Sequence, residues 1–456
     1  MNKTQMYKRL YSFLMAFLIV AIETGIVTYV WVTFYNRELP KAYYFWGHVF
    51  ISAVYMLILF VVSWMYGGLK IGSYRMLELM FSQCFSTIIT DVLFYAIICL
   101  LAYHFPPAWP MLLVLVIQGL CIGAWILGAT FIYRGLFPPL DILLIYGGNT
   151  KDLFIEKVKT RRHQFAITES VDATQSYEDI CRMIDKHEAV MMWDVPTVER
   201  NKLFKYCYEM SKETYVMPKI MDIVLRGSQT LHFFDTPLLL TKSSPIEIEQ
   251  LFIKRAFDII FSLFLIILTS PLMLLTAVCI VAYDKGPVFY KQVRCTVSNR
   301  EFEIIKFRSM IVEAERDGVA RLATQNDDRI TPIGKFIRKV RIDELPQLFN
   351  VLKGDMSFVG PRPERPQIIE KYTKVMPEFA YRTKVKAGLT GYAQVFGKYN
   401  TLPYDKLKLD LYYIQNFSIW LDLVLVIQTV KILFKMESTE GVAAGNVTPL
   451  ERDEQP

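Results

Sequence analysis

LYSFLMAFLIVAIETGIVTYVWVTFY, Leu10–Tyr35, decides the architecture. It holds one acid, Glu23, no lysine or arginine, and more than the ~20 residues a helix needs to cross a hydrocarbon core. Three similar runs follow at Tyr44–Tyr66, Leu79–Phe105 and Trp109–Tyr133. A signal peptide does not fit the first, which is too long, contains Glu23 and lacks a small-residue cleavage site. Buried helices of a soluble bundle would show polar stripes at a 3.6-residue period; these runs are apolar all round, so they read as membrane spans. Composition agrees. Of 456 residues, 53% are hydrophobic and 21% charged, which excludes a disordered chain and an ordinary soluble enzyme. The net charge of +7 arises from a mixed surface with 44 acids; it suits an anionic membrane face or phosphorylated substrates, not a nucleic-acid tail. Seven cysteines form no CxxC pair, and Cys84, Cys99, Cys121 and Cys279 lie in apolar runs, which argues against a disulfide framework or a zinc site.

Lys3, Lys8, Arg9, Lys70, Arg75 and Arg134 fall on one side of the four spans; only Arg37 and Lys41, beside Glu38, fall on the other. The positive-inside rule therefore assigns the N-terminus and everything after Arg134 to the cytoplasm. Glu23 and Asp91, acids within spans, mark either a pathway or helix–helix hydrogen bonding. From Asp141 strand-like and helix-like stretches alternate: Ile142–Thr150, Lys151–Arg161, Gln164–Thr168, Tyr177–His187, Ala189–Val195, Thr197–Glu213 and Thr214–Pro218. Such alternation implies a parallel sheet covered on both faces, a Rossmann-like domain. Gly147-Gly148 follows the first strand without the rest of a GxGxxG pattern, and a structural or dimerising role competes with nucleotide binding. His163, His187 and His232 are dispersed and show no metal spacing.

The apolar run from Ala256 to Tyr283 is interrupted by Ser270-Pro271. Lys254 and Arg255 precede it, and Lys285, Lys291, Arg294 and Arg300 follow, so both ends favour the cytoplasm. Proline breaks or kinks a helix, and an adjacent serine can satisfy the freed backbone group. A re-entrant helix broken at Ser270-Pro271 is expected, with a kinked fifth span as the alternative. Beyond it, Ile333, Phe336, Ile337 and Val340 line one face of a helix ringed by Lys335, Arg338 and Lys339, as at a membrane surface. Leu345, Leu348, Phe349 and Leu352 predict a second helix ending at Gly354, with Asp343, Glu344 and Pro346 at its start. Adjacent acids there can simply cap and complement the dipole. Arg338, Arg341 and Arg362 nearby favour phosphate chemistry instead, with an ionised Asp as nucleophile and a Glu available to Mg²⁺.

These motifs carry a family resemblance. FIKRAFDIIFSLFLIILTSPLM, GPVFYKQ, FEIIKFRSM, DDRITPIGKFIRKVRIDELPQLFNVLKGDMSFVGPRPE, KAGLTGYAQV and LDLYYIQNFSIWLDL run in order through Phe252–Phe434. This region resembles the bacterial sugar transferases, the polyprenyl-phosphate hexose-1-phosphate transferases. The longer architecture is similar to the large, dimer-forming members that begin capsule or exopolysaccharide synthesis. The resemblance implies transfer of a hexose-1-phosphate from a UDP-sugar, UDP-glucose or UDP-galactose, to undecaprenyl phosphate at the bacterial inner membrane, releasing nucleoside monophosphate. It implies that Asp343 forms a covalent phosphosugar and that Glu344, with Asp343, associates with Mg²⁺. It further implies that Arg338 and Arg362 lie near the phosphates, that Lys306, Arg308 and Asp410 belong to matching motifs, and that Ser270-Pro271 is the helix break. The expected whole is an integral membrane α-helical bundle (1–140), a cytoplasmic α/β Rossmann-like domain (141–243) and a mostly α-helical catalytic domain on a re-entrant membrane helix (244–456). The glycine-rich GPRPE and GLTGYAQVFG segments either shape the donor pocket or form turns. Competing readings are a non-enzymatic membrane scaffold or sensor and a glycosyltransferase that releases nucleoside diphosphate.

Overall fold

The computed structural model describes residues 3–148, 151–241, 246–311, 327, 329–397 and 401–433. The chain divides into two compact units, Met1–Met217 and Pro218–Pro456. The expected boundary at 243–244 lies outside the described residues.

The first unit opens with four long helices, α1 (Lys3–Thr33), α2 (Phe45–Tyr66), α3 (Met76–Ala102) and α4 (Trp109–Leu136). Each is long and apolar enough to cross a membrane. Their packed interior includes Ile19, Trp31, Tyr55, Leu59, Leu79, Ile98 and Ile122, while Phe13, Phe17, Leu57, Leu112, Leu120 and Phe131 point outward, the distribution expected in lipid. Then β1 (Leu140–Tyr146), α5 (Lys151–Lys159), β2 (Phe165–Asp172), α6 (Tyr177–Lys186), β3 (Ala189–Trp193), α7 (Thr197–Glu209) and β4 (Glu213–Val216) alternate as the apolar runs predict. The four strands form one parallel sheet in the order β2-β1-β3-β4, with Ile142 to Ile145 fully buried. Gly147 brings the turn after β1 against the turn after β3: a Cβ there would lie 2.7 Å from the Asp194 carbonyl oxygen. Backbone packing thus accounts for this glycine without a ligand. Arg75 Nε donates to the Thr160 carbonyl (2.8 Å), and Gln164 Nε2 to that of Gly72, tying the α2–α3 loop to the sheet domain. The α2–α3 loop and the α/β domain therefore lie at the same end of the bundle.

The second unit begins with α8 (Ile220–Arg226) and the hairpin β5 (Gln229–Phe233) and β6 (Thr236–Leu240). The 37-residue α9 (Ile248–Asp284) follows. Helical backbone continues through Ser270-Pro271, where the sequence reading placed a break. The reason is local. Pro271 cannot donate to the Ile267 carbonyl one turn back, and Ser270 Oγ donates to that same carbonyl instead, at 2.8 Å. After α9 come β7 (Phe289–Cys295) and β8 (Glu301–Phe307), an antiparallel pair, then α10 (Pro332–Lys339), α11 (Gln347–Lys353), β9 (Ser357–Val359), α12 (Pro366–Val375), β10 (Gly388–Thr390), α13 (Tyr392–Phe396), α14 (Pro403–Gln415) and α15 (Ile419–Leu433). The region is a mixed α/β fold, which corrects the mostly helical expectation: FEIIKF pairs with FYKQVRC as a ribbon, and β9 and β10 form a short parallel pair. Its core joins Ile220 and Ile223 of α8 to Leu348, Val351, Phe358, Val359, Leu407, Leu411 and Leu425.

Both halves of α9 pack on this fold. In the first half, Arg255 donates to the Val351 and Leu352 carbonyls at the end of α11 (2.7 and 2.8 Å). Asp258 accepts from Ser357 Oγ and the Phe358 N–H (3.0 and 2.8 Å), and buried Lys254 pairs with Asp422 of α15. In the second half, Met273 and Ile280 pack with Phe307 and Ile337, and Asp284 pairs with Arg308.

Candidate active site

Thr331 accepts the Gly334 N–H (2.9 Å) as the N-cap of α10, and Pro332 occupies the first turn. Gly334 is required by close approach, since a Cβ would lie 1.9 Å from the Ser309 carbonyl oxygen. On α10, Ile337 is buried and Ile333 packs beside it, whereas Phe336 is 62% exposed between Lys335 and Lys339. At the end of α10 Arg341 adopts a left-handed backbone, φ 58°, and turns the chain into a single 3₁₀ turn, Ile342–Glu344. That conformation is unusual for a residue with a side chain and marks a turn held by its surroundings. Asp343 and Glu344 occupy this turn between α10 and α11. Neither the turn nor α11 has a side-chain cap, so the capping reading of Asp343 does not hold.

Glu344 is fixed by cations. Its Oε1 lies 3.2 Å from Arg362 Nη2, 3.4 Å from Lys306 Nζ and 3.9 Å from Arg341 Nη1. Burial alone would push this carboxyl up; Lys306, Arg362 and Arg341 outweigh it and hold the group well below the usual carboxylate range. Asp343 is different. Among the described residues it has no hydrogen-bond or ion-pair partner. Burial, then the adjacent Glu344 charge, push it up to about 6, while Lys306, Arg338 and Arg341 pull against them. The turn therefore presents one carboxylate locked by three cations and one left unengaged beside them. For Lys306, burial lowers the ammonium pKa against the opposing pull of Glu344.

The structure brings Lys306, Arg338 and Arg362 to Asp343 and Glu344 but not Arg308 or Asp410. Arg308 sits just past the end of β8 and pairs with Asp284; the adjacent Gly286 has no room for a Cβ beside the Arg308 guanidinium (2.3 Å). Asp410 belongs to a supporting layer. Its Oδ2 is 2.8 Å from Arg382 Nη2, which also donates to the Arg362 carbonyl (3.0 Å). Burial pushes the Asp410 carboxyl up to about 6 despite Arg382. Glu364 lies 3.6 Å from Arg382 and 3.7 Å from Arg294. Burial lowers Arg294 to about 10, against the pull of Glu364. Sequence reasoning missed Arg294, Arg382 and Glu364, whose partners are distant in the chain. The glycine-rich segments have a packing role. Gly388 and Gly391 approach Gly360 so closely that a Cβ would fall 2.0 and 2.1 Å from its backbone, and this crossing sets the strand end that leads to Arg362. No group of three or more His, Cys, Asp or Glu suited to a metal occurs among the described residues. Asp343 and Glu344 nonetheless fit Mg²⁺, which takes one or two carboxylates and completes its shell with substrate phosphates and water.

The site is thus a pair of carboxylates ringed by cations in the turn between α10 and α11. Residues 249–436 match the family described as Bacterial sugar transferase. The chain belongs to that family. It is 48% identical over 183 residues to the UDP-N-acetylgalactosamine-undecaprenyl-phosphate N-acetylgalactosaminephosphotransferase of Aeromonas hydrophila, covering 40% of this chain and 43% of that protein. It is 39% identical over 190 residues to the UDP-glucose:undecaprenyl-phosphate glucose-1-phosphate transferase of Caulobacter vibrioides, covering 41% and 71%. It is 29% identical over 336 residues to the undecaprenyl-phosphate galactose phosphotransferase of Salmonella typhimurium, covering 66% and 70%. The chain spans about half the length of several such relatives, 43%, 47% and 53% for three of them.

Proposed function

We propose that this protein is a phosphotransferase that moves a hexose-1-phosphate from a UDP-sugar to undecaprenyl phosphate. The observation that carries the reading is the contrast between Glu344, held by three cations, and the unengaged Asp343 beside it. An Asp343 oxygen attacks the phosphorus that bears the sugar. The bond to the bridging oxygen breaks, and UMP leaves with that oxygen and its electron pair. A phosphate oxygen of undecaprenyl phosphate then attacks the same phosphorus and releases the Asp343 carboxylate. Lys306, Arg338 and Arg362 stabilise charge on the equatorial oxygens, while Arg382 and Asp410 hold Arg362 in position. Glu344 and Asp343 would hold Mg²⁺, whose charge would offset that of the donor diphosphate.

The re-entrant path of α9 is part of this proposal. Its support is that Arg255 near one end and Asp284 at the other both bind the same fold, whereas a straight helix of this length would span about 55 Å. Catalysis then occurs at headgroup depth on the cytoplasmic face of the inner membrane, with the exposed Phe336 of α10 at the interface. Two copies associate, and the reaction starts capsule or exopolysaccharide assembly from UDP-glucose or UDP-galactose. Incubation with a UDP-sugar and Mg²⁺, without lipid, should add one sugar phosphate to the peptide containing Asp343 and release UMP. The Asp343→Asn protein should still bind donor but form no adduct and turn nothing over. Release of UDP in place of UMP, or an adduct on the Asn variant, would overturn the mechanism.

A further inference from the structure

The four-helix bundle of the first unit buries two acids and, among the described residues, no base. Glu23 on α1 is fully buried; its Oε1 accepts from Gln83 Nε2 (2.8 Å) and its Oε2 from Thr87 Oγ1 (2.7 Å), both on α3. One turn beyond Thr87, Asp91 accepts the Tyr55 hydroxyl proton of α2 on Oδ1 (2.9 Å). The same Tyr55 oxygen accepts from Gln118 Nε2 of α4 (2.8 Å). α1 and α2 thus meet α3 through side-chain hydrogen bonds, and α4 joins through Tyr55 of α2, the role that competed with a pathway in the sequence.

That network leaves a deficit of donors. Gln83 Oε1, on the side chain that binds Glu23, has no hydrogen-bond partner, and neither do Asp91 Oδ2 and Gln118 Oε1, although Asp91 is 4% exposed and Gln118 fully buried. Both side chains reach the same hydroxyl, so the two orphaned oxygens belong to neighbours, and Tyr55 has already used its only proton. The titratable groups facing Asp91 are Tyr55 from α2 and Glu23 from α1, with the Gln118 amide from α4; Cys84 on α3 faces Glu23 instead. Among the described residues no lysine, arginine or histidine is buried in the bundle. Two negative charges in an apolar bundle, without a counter-charge, do not persist; the groups neutralise instead.

We propose that the bundle contains a proton-binding site centred on Asp91. A proton taken from bulk water onto Oδ2 removes the charge and turns one orphaned acceptor into a donor for the other, Gln118 Oε1. A metal cation fits the donor set poorly, because among the described residues the groups bonded to the Tyr55 hydroxyl offer only Asp91 Oδ2 and Gln118 Oε1 as free oxygens, where a hard cation takes about six.

Infrared spectra of the full chain in lipid vesicles at neutral pH test this site. The carbonyl stretch of a protonated carboxylic acid should be present in wild type, lost in Asp91→Asn, and so appear in the wild-type-minus-Asp91→Asn difference as one carboxyl equivalent. Gln118→Leu, which removes the acceptor and leaves the acid, should shift that band to higher frequency without removing it, and so tests the site even if the Asn variant is unstable. Raising the pH should erode the band, about tenfold per unit once past its midpoint, and replacing potassium with sodium should leave it unchanged. Equal carboxylic-acid signal in wild type and Asp91→Asn, or a Gln118→Leu spectrum identical to wild type, would overturn the proposal. Loss of the band on adding sodium at constant pH would reassign the site to a metal cation.

Discussion

Asp343 and Glu344 are neighbours in one turn, yet their surroundings push them in opposite directions, and each direction has a measurable sign. Glu344 is held low by its cations, so its contribution to stability is present above the unfolded carboxyl range, about 4.3, and is lost as pH falls through the lower folded value. Glu344→Gln should remove this acid sensitivity and cost about 1–3 kcal/mol near neutral pH, less than a fully buried pair because Arg362 is half-exposed. Chemical denaturation of the two proteins at several pH values measures it; equal stability at every pH would contradict the ion-pair geometry. Asp343 runs the other way. Raised to about 6, it favours folding only when protonated, and that contribution is lost as pH rises through about 6. Asp343→Asn should therefore stabilise the protein at pH 8 by about 1–2 kcal/mol while abolishing transfer. On the proposed mechanism, in which the Asp343 carboxylate attacks, the same value predicts that phosphosugar formation declines as pH drops below about 6. A flat acid limb would point to another nucleophile.

At the scale of one helix, α9 shows how proline and serine operate as a pair. Ser270 supplies the donor that Pro271 withholds from the Ile267 carbonyl. Ser270→Ala should leave that carbonyl unpaired in lipid and cost about 1–3 kcal/mol. Pro271→Ala restores an N–H, so the double variant should recover most of the loss. Thermal unfolding in lipid nanodiscs gives the cycle, and additive losses would mean the two residues do not share the carbonyl. Which elements exist was largely legible in the sequence. The strands β1 and β3 are short apolar runs bounded by turn residues, and α10 and α11 follow helical periodicity. Arg308 shows where such reading stops. It follows Lys306 at strand spacing, so both seemed destined for one site, but β8 ends at Phe307 and the two side chains part company. Arg382 was invisible for a different reason: it meets Asp410 and the Arg362 carbonyl through tertiary contacts that no local pattern announces.

For the molecule as a whole, the compact division at Met217–Pro218 bears on how much chain the chemistry needs. Ile220 and Ile223 of α8 are buried in the core that also holds Leu407 and Leu411 of α14. A chain beginning at Pro218 should fold and transfer sugar phosphate, whereas one beginning at Ser244 exposes that core. The loss of two buried aliphatic side chains is worth about 3–6 kcal/mol, enough to threaten a domain of ordinary stability. Comparing yield, unfolding and turnover of the two truncated proteins decides this; equal behaviour would show that α8 is dispensable.

Lys306, Arg338, Arg341 and Arg362 all act on Asp343 and Glu344, so within this group of six the cations outnumber the acids even when both acids are ionised. The diphosphate donor of the proposed reaction, approaching through water, should therefore be drawn in before any contact forms. Attraction of this kind is screened over roughly 8 Å at physiological ionic strength. Added salt should accordingly depress kcat/KM for the nucleotide sugar through slower encounter, while kcat at saturating donor stays nearly constant. If kcat/KM is indifferent to salt, the charge serves the bound phosphate alone and capture depends on contacts made after arrival.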